Sequence, residues 1–154
     1  MLMKIVLPLL ALLLFASSCK NVLEPEFLEV KKLQVDKMTF EEATISADLL
    51  FKNPNSFGFR LKKMDCEVYL DSTLLGHFSN SSRVNIPSSG EFILPVNGLA
   101  KTVVLMGQQL KIMTGKESIL TVKGMARVGR SGIFKTVPFN FSDTVLLPMP
   151  DIKK

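Results

Sequence analysis

The sequence predicts an all-β fold, a sandwich or a barrel, with one short α-helix at about residues 101–114. Three observations support this prediction. Apolar and polar residues alternate in short runs, which is the pattern of half-buried strands. Turn-forming residues separate these runs about every 8 to 12 positions, as is typical of sandwiches and barrels. One segment instead places apolar residues three and four apart, which is the spacing of a helix.

The clearest strand extends from Glu42 to Asn53, because apolar side chains occupy every second position from Ala43 to Phe51. A weaker alternation predicts a strand at residues 28–38. Further strands are predicted at 59–70, 73–79, 83–86, 91–96, 120–128 and 134–141. Asp71-Ser72 and the segment 129–132 are the expected hairpin turns, since both consist largely of turn-forming residues.

The helical segment carries an apolar stripe formed by Val103, Met106, Leu110 and Met113. This spacing predicts that the stripe packs on the sheets, although methionines also suit an adaptable binding surface. Gly115 is well placed to terminate the helix.

The strand that begins at Glu42 ends in the motif Asn53-Pro54-Asn55. Pro54 cannot donate a backbone hydrogen bond, so the strand must end there. Asn53 can bond backbone groups ahead of it, and Asn55 tolerates a left-handed conformation. We therefore predict that the motif is a structural turn without a catalytic role.

Further motifs follow in order along the chain: Leu75-Gly76, then Pro87-Ser88-Ser89-Gly90, and Gly124 in a late strand. Together with Asn53-Pro54-Asn55, this order resembles the late embryogenesis abundant type 2 family, also called the water-stress-and-hypersensitive-response (WHy) domain. The resemblance spans roughly residues 28–145. It implies an antiparallel β-sandwich of immunoglobulin or fibronectin type III character with one helix, which we place at residues 26–150, with 151–154 as a C-terminal tail.

The N-terminal segment has the three parts of an export signal. A basic start at Lys4 precedes the apolar run Ile5–Phe15, and small residues follow it, as in secretory signals. The run is too short for a membrane-spanning helix, which needs about 20 apolar residues. Ala16-Ser17-Ser18-Cys19 resembles a bacterial lipobox, with Ala16 where a larger aliphatic residue is commoner. We therefore expect residues 1–18 to be removed and Cys19 to become the lipidated N-terminus; plain secretion is the alternative.

This reading predicts attachment to a membrane through lipid on Cys19, with residues 19–25 as a short tether. Lys20 follows the cysteine and no acidic run comes after it. Sorting rules of some bacteria then predict the periplasmic face of the outer membrane.

Charge and cysteine content narrow the classes of function. The formal net charge is +5, and its basic residues are scattered, whereas nucleic-acid binding favours clustered basic residues with interleaved aromatics. We therefore expect no nucleic-acid partner. Cys66 alternates with Met64 and Val68 in a predicted strand, which indicates a core residue.

The sequence shows no catalytic constellation. His77 is the only histidine, and we expect an ordinary surface residue there; with one free cysteine it cannot form a recognisable zinc site. Residues 124–131 approximate a phosphate-binding loop, but a strand is predicted after them where that loop requires a helix. No metal, nucleotide or other cofactor is expected.

The resemblance associates the chain with desiccation and other stress. The leading hypothesis is a membrane-anchored, non-enzymatic envelope lipoprotein that binds a partner protein or envelope surface, or protects it, under stress. The alternative is a carrier of lipid or another hydrophobic ligand, with a groove between the sheets and the helix, as proposed for relatives. An enzyme that uses His77 is the third hypothesis.

Overall fold

A computed structural model describes residues 22–152. This part of the chain forms nine strands and one helix: β1 (Glu26–Met38), β2 (Glu42–Lys52), β3 (Phe59–Leu70), β4 (Thr73–Asn80), β5 (Val84–Ile86), β6 (Glu91–Lys101), α1 (Thr102–Met113), β7 (Ser118–Arg130), β8 (Ile133–Val145) and β9 (Asp151–Ile152). The predicted all-β fold with a single short helix is confirmed. The predicted strands lie within β1 to β8 to within about a residue, and β6 continues five residues further than predicted.

The strands form one sheet in the order β8-β7-β3-β4-β6-β2-β1-β9, with β5 paired to the start of β3. Among β1 to β8, every pair of hydrogen-bonded strands is antiparallel, whereas β9 runs parallel to β1. The sheet folds over on itself, because the rings of Phe27 in β1 and Phe141 in β8 lie 5.4 Å apart although their strands are far apart in the sheet order. The folded sheet therefore forms an open sandwich.

The interior faces of the strands meet in one apolar core. Alternate residues of β2 (Ala43, Ile45 and Ala47) are buried, as their period of two requires. Cys66 is also buried in the core, which confirms the prediction from its alternation. Among the described residues, the core extends from Val35 to Val145.

Two glycines of the family-like pattern permit close contact between neighbouring strands. A Cβ on Gly76 would collide with the carbonyl oxygen of Leu99 in β6, and a Cβ on Gly124 would collide with the carbonyl oxygen of Asp65 in β3. Glycine at these positions is therefore a packing requirement.

The sandwich has two ends, which we call the Asn pole and the helix pole. The Asn pole contains the Asn53–Asn55 turn, the start of β3 and the β7–β8 hairpin turn. The helix pole contains α1, the β1–β2 turn and the β3–β4 turn. β2 connects the poles with 11 residues, which at about 3.3 Å per residue corresponds to roughly 35 Å.

Gly76→Ala is expected to lower the free energy of unfolding by about 1–3 kcal/mol, because the added methyl group has no space beside β6. Urea unfolding measures the effect. Gly107→Ala is the matched control: it lies in α1 with nothing near its added Cβ, so alanine should stabilise the chain by about 0.5–1 kcal/mol. Equal effects of the two substitutions would contradict the packing argument.

Candidate functional site

The centre of the Asn pole is the side chain of Asn53, which is fully buried. Its Nδ2 donates to the carbonyl oxygens of Phe57 at 2.9 Å and Pro87 at 2.8 Å. Its backbone N–H donates to the carbonyl oxygen of Gly90 at 2.9 Å. One residue therefore joins the end of β2 to the turns that precede β3 and β6.

The acceptor side of the same amide positions Asn55. Asn53 Oδ1 accepts from the backbone N–H of Asn55 at 3.0 Å and from its Nδ2 at 2.8 Å. Pro54, between them, has no N–H that would need a partner. The turn is thus closed by a side chain that bonds two residues ahead, the arrangement for which Asn is favoured in turns.

Asn55 in turn holds the beginning of the described chain. Its Oδ1 accepts from the N–H of Leu23 at 2.8 Å, and its Nδ2 donates to the carbonyl oxygen of Leu23 at 2.7 Å. A side-chain amide thus pairs with a peptide group as a neighbouring strand would. We call Asn53, Asn55 and Leu23 the Asn clamp. Cys19, the predicted lipid attachment residue, lies outside the described residues.

The sequence predicted a turn at Asn53-Pro54-Asn55 but did not reveal the bond to Leu23. The partner of Asn55 is a backbone group 32 residues away. Because every residue has such a group, the sequence does not indicate which one Asn55 binds. The available signal was the pair of amides itself, since each carries both donors and an acceptor that must be satisfied when buried.

At the helix pole, α1 is attached by polar contacts at both ends. The hydroxyl of Thr102 donates to the carbonyl oxygen of Thr39 at 2.9 Å. Near the other end, Lys111 Nζ donates to Asp71 Oδ2 at 2.6 Å, and the N–H of Ile119 donates to Asp71 Oδ1 at 3.0 Å. Lys111 first, and then the Ile119 amide, lower the pKa of Asp71 below its usual value.

The predicted packing of the stripe on α1 is wrong. Val103, Met106, Leu110 and Met113 are 73%, 64%, 71% and 61% exposed; we call them the apolar helix face. The helix packs through the opposite side, where Val104 and Leu105 contact the core. Both sides have helical spacing, so periodicity could not tell which of them faces the sheet. A fully exposed side chain, Phe40, lies at the same pole in the β1–β2 turn.

His77 and Cys66 lie on neighbouring strands, β4 and β3. The His77 side chain is 72% exposed, and its Nδ1 lies 3.9 Å from Glu67 Oε1. Burial raises the pKa of the Cys66 thiol to about 11, with a smaller contribution from Asp65. The thiol is therefore protonated at neutral pH and is a poor nucleophile.

The phosphate-loop-like segment 124–131 lies in β7 and its hairpin turn, and β8 follows it as predicted. Among residues 22–152, no three His, Cys, Asp or Glu side chains are grouped as metal ligands would be. No helix in this range has the length and apolarity needed to span a membrane.

The late embryogenesis abundant protein family (LEA type 2) matches residues 48–144, from β2 to the end of β8. The chain belongs to this family. A search of curated proteins gave no match. Asn53, Asn55, Gly76 and Gly124 lie within the matched residues, whereas Leu23 lies before them.

One of the matching solved structures is similar in fold, and two others match at lower TM-scores. The solution structure of a protein from Arabidopsis thaliana matches with a TM-score of 0.50 and 12% identity, over 87% of this chain and 89% of that chain. A solution structure of a LEA protein matches with a TM-score of 0.36 and 15% identity, over 90% of this chain and 79% of that one. A crystal structure of a protein from Archaeoglobus fulgidus matches with a TM-score of 0.44 and 11% identity, over 80% and 99%.

Asn55→Ala is expected to release Leu23 and to lower the free energy of unfolding by about 1–3 kcal/mol, because buried polar groups lose their partners. Hydrogen exchange should show faster exchange of the Leu23 amide, with exchange in β2 little changed. Asn140→Ala removes an exposed asparagine of β8 and is the control. Slow exchange at Leu23 in the Asn55 variant would disprove the clamp.

Proposed function

We propose that this LEA type 2 protein is a lipid-anchored, non-enzymatic envelope protein that binds an apolar partner at its helix pole under stress or desiccation. One observation carries the proposal. The Asn clamp holds the N-terminal segment at one pole, and the apolar helix face is exposed at the other. The molecule therefore has an attachment end and a binding end.

The anchor rests on the lipobox-like sequence that ends at Cys19. Only Lys20, Asn21 and Val22 separate Cys19 from the clamped Leu23, so the Asn pole lies within roughly 15 Å of the lipidated residue. Each buried CH₂ of an acyl chain contributes about 0.8 kcal/mol, and stable anchoring takes more than one chain. Two or three chains on Cys19 would keep the protein on its membrane.

The apolar helix face is suited to a protein partner. Lys111 is the only charged residue of α1, and its ammonium group is paired with Asp71. The exposed face is therefore uncharged, and its complement is an uncharged, apolar segment of an envelope protein. Exposed apolar patches commonly mark such interaction sites, and methionine side chains adapt to the shape of a partner.

The proposed location is the periplasmic face of the outer membrane, inferred from Lys20. The non-enzymatic role is supported by the protonated thiol of Cys66 and by the open surface position of His77. A lipid carrier remains the alternative. Two concavities among the described residues, one beside β5 and one between β3, β4 and β7, are not lined by α1.

Cys19→Ala is expected to abolish the anchor. Cells that express the chain are fed an alkyne-bearing fatty acid and then fractionated; the unaltered chain should be labelled and membrane-bound, and the variant should be neither. Cys66→Ala is the control, since its buried thiol should not affect labelling. Labelling of the Cys19 variant, or none of the unaltered chain, would refute lipidation.

Met106→Gln with Leu110→Gln should reduce survival after drying to the level of a deletion strain, because two side chains of the apolar helix face become polar. Both residues are exposed, so stability should change by no more than about 0.5 kcal/mol per site. Met125→Gln with Val137→Gln changes an exposed apolar pair on β7 and β8 and should leave survival intact. Full survival of the helix variant would count against this binding face.

A further inference from the structure

We propose that a basic corner of the Asn pole, formed by Arg60, Lys62 and Arg130, docks on phosphate-bearing headgroups of anionic lipids in the membrane that holds the chain. This inference deepens the proposed function and depends on its anchor. It defines which surface of the domain faces the bilayer.

Two residues of the corner, Arg60 and Arg130, line an open concavity of about 650 Å³ together with Asn85, Pro87 and Gly129. Arg60 is exposed, whereas the next residue, Leu61, is buried in the core. The alternation of a strand therefore directs Arg60 to the outer face of β3.

Little covers Arg60 on that face. Its partners in register are Asn85 of β5 and Gly129 of β7, and Gly129 contributes no side chain. Arg130 follows Gly129 and closes the β7–β8 hairpin opposite Ile133. Arg60 and Arg130, on the neighbouring strands β3 and β7, thus both line one concavity.

The positive charge of this corner is not neutralised within the described residues. Arg60, Lys62 and Arg130 form none of the ion pairs found among residues 22–152. The Lys62 ammonium lies 3.8 Å from the ring centroid of Phe134. Glu91 also lines the concavity, so one carboxylate offsets part of the charge of the three basic side chains and leaves the corner positive.

The concavity lies beside the attachment point of the chain. Pro87, in its lining, accepts from Asn53, and Ser89 donates to Asn55 O at 2.8 Å. The same two asparagines hold Leu23 through the Asn clamp. A membrane that carries the lipidated Cys19 therefore faces this pole, and guanidinium groups bind phosphate oxygens in paired hydrogen bonds.

The test couples the chain from Cys19 to Lys154 to maleimide-bearing lipid through the Cys19 thiol. This chain contains the nine strands and the core found among residues 22–152, and burial protects Cys66 from coupling. Ile133→Trp supplies a single tryptophan at the corner, since the sequence has none. Energy transfer to dansyl-labelled lipid then reports docking.

On vesicles of phosphatidylcholine with 30% phosphatidylglycerol, as a test composition of roughly physiological anionic charge, we expect stronger transfer than on phosphatidylcholine alone. Arg60→Gln with Arg130→Gln should lower the ratio of docked to undocked chains about 25-fold. Each arginine supplies a factor of about five, which corresponds to about 1 kcal/mol for a basic residue near an anionic surface.

Lys37→Gln with Lys116→Gln is the charge-matched control at the helix pole. This variant keeps both arginines, so it should dock as strongly as the chain without these substitutions. Equal docking by the arginine variant, or an equal loss in the lysine control, would overturn the proposal. Loss of the energy transfer on addition of 1 mM inorganic phosphate at constant ionic strength would assign the site to a soluble anion instead, and would also overturn the proposal.

The chemical coupling separates this inference from the anchor. If Cys19 receives no lipid in cells, labelling fails while vesicle docking is unaffected. If the basic corner does not bind headgroups, docking fails while labelling succeeds.

Discussion

The four hydrogen bonds of the Asn53 side chain are the constraint on which one end of this molecule depends. An amide offers two donors and a carbonyl acceptor, and at full burial each unmet group costs about 1–3 kcal/mol. Only one arrangement of the surrounding turns satisfies all of them. The end of β2, the turn before β3, the turn before β6 and the orientation of Asn55 are therefore determined together.

This constraint makes the two poles of the sandwich different from each other. Because Asn55 uses its remaining donor and acceptor on Leu23, the N-terminal segment leaves the domain at the Asn pole. β1 and β6 each run from the Asn pole to the opposite end, and the segment that follows β6 forms α1. The start of the described chain and the basic corner thus lie at one pole and the apolar helix face at the other, as the hydrogen bonding of a turn and the length of two strands require.

For α1, the sequence predicts the position and length but not which side of the helix is buried. Its length and position follow from periodicity, and its two ends agree with the prediction to within a residue. Its orientation depends on Thr102 bonding to the β1–β2 turn and Lys111 bonding to Asp71, which are contacts between residues distant in sequence. These polar contacts turn Val104 and Leu105 inward and leave Met106 and Leu110 in solvent. In a helix that is apolar on two sides, attachment at the ends decides which side is buried.

The sequence alone determined the all-β class, the number and approximate bounds of the main strands, the hairpin turn at Asp71-Ser72 and the burial of Cys66. These properties depend on local periodicity and turn chemistry, which neighbouring residues express directly. Only the tertiary structure decided which strands meet across the sandwich, the pairing of Asn55 with Leu23 and the grouping of Arg60 with Arg130. These depend on contacts across many residues of chain, and their partners include backbone groups that every residue possesses, so no pattern of side chains could specify them.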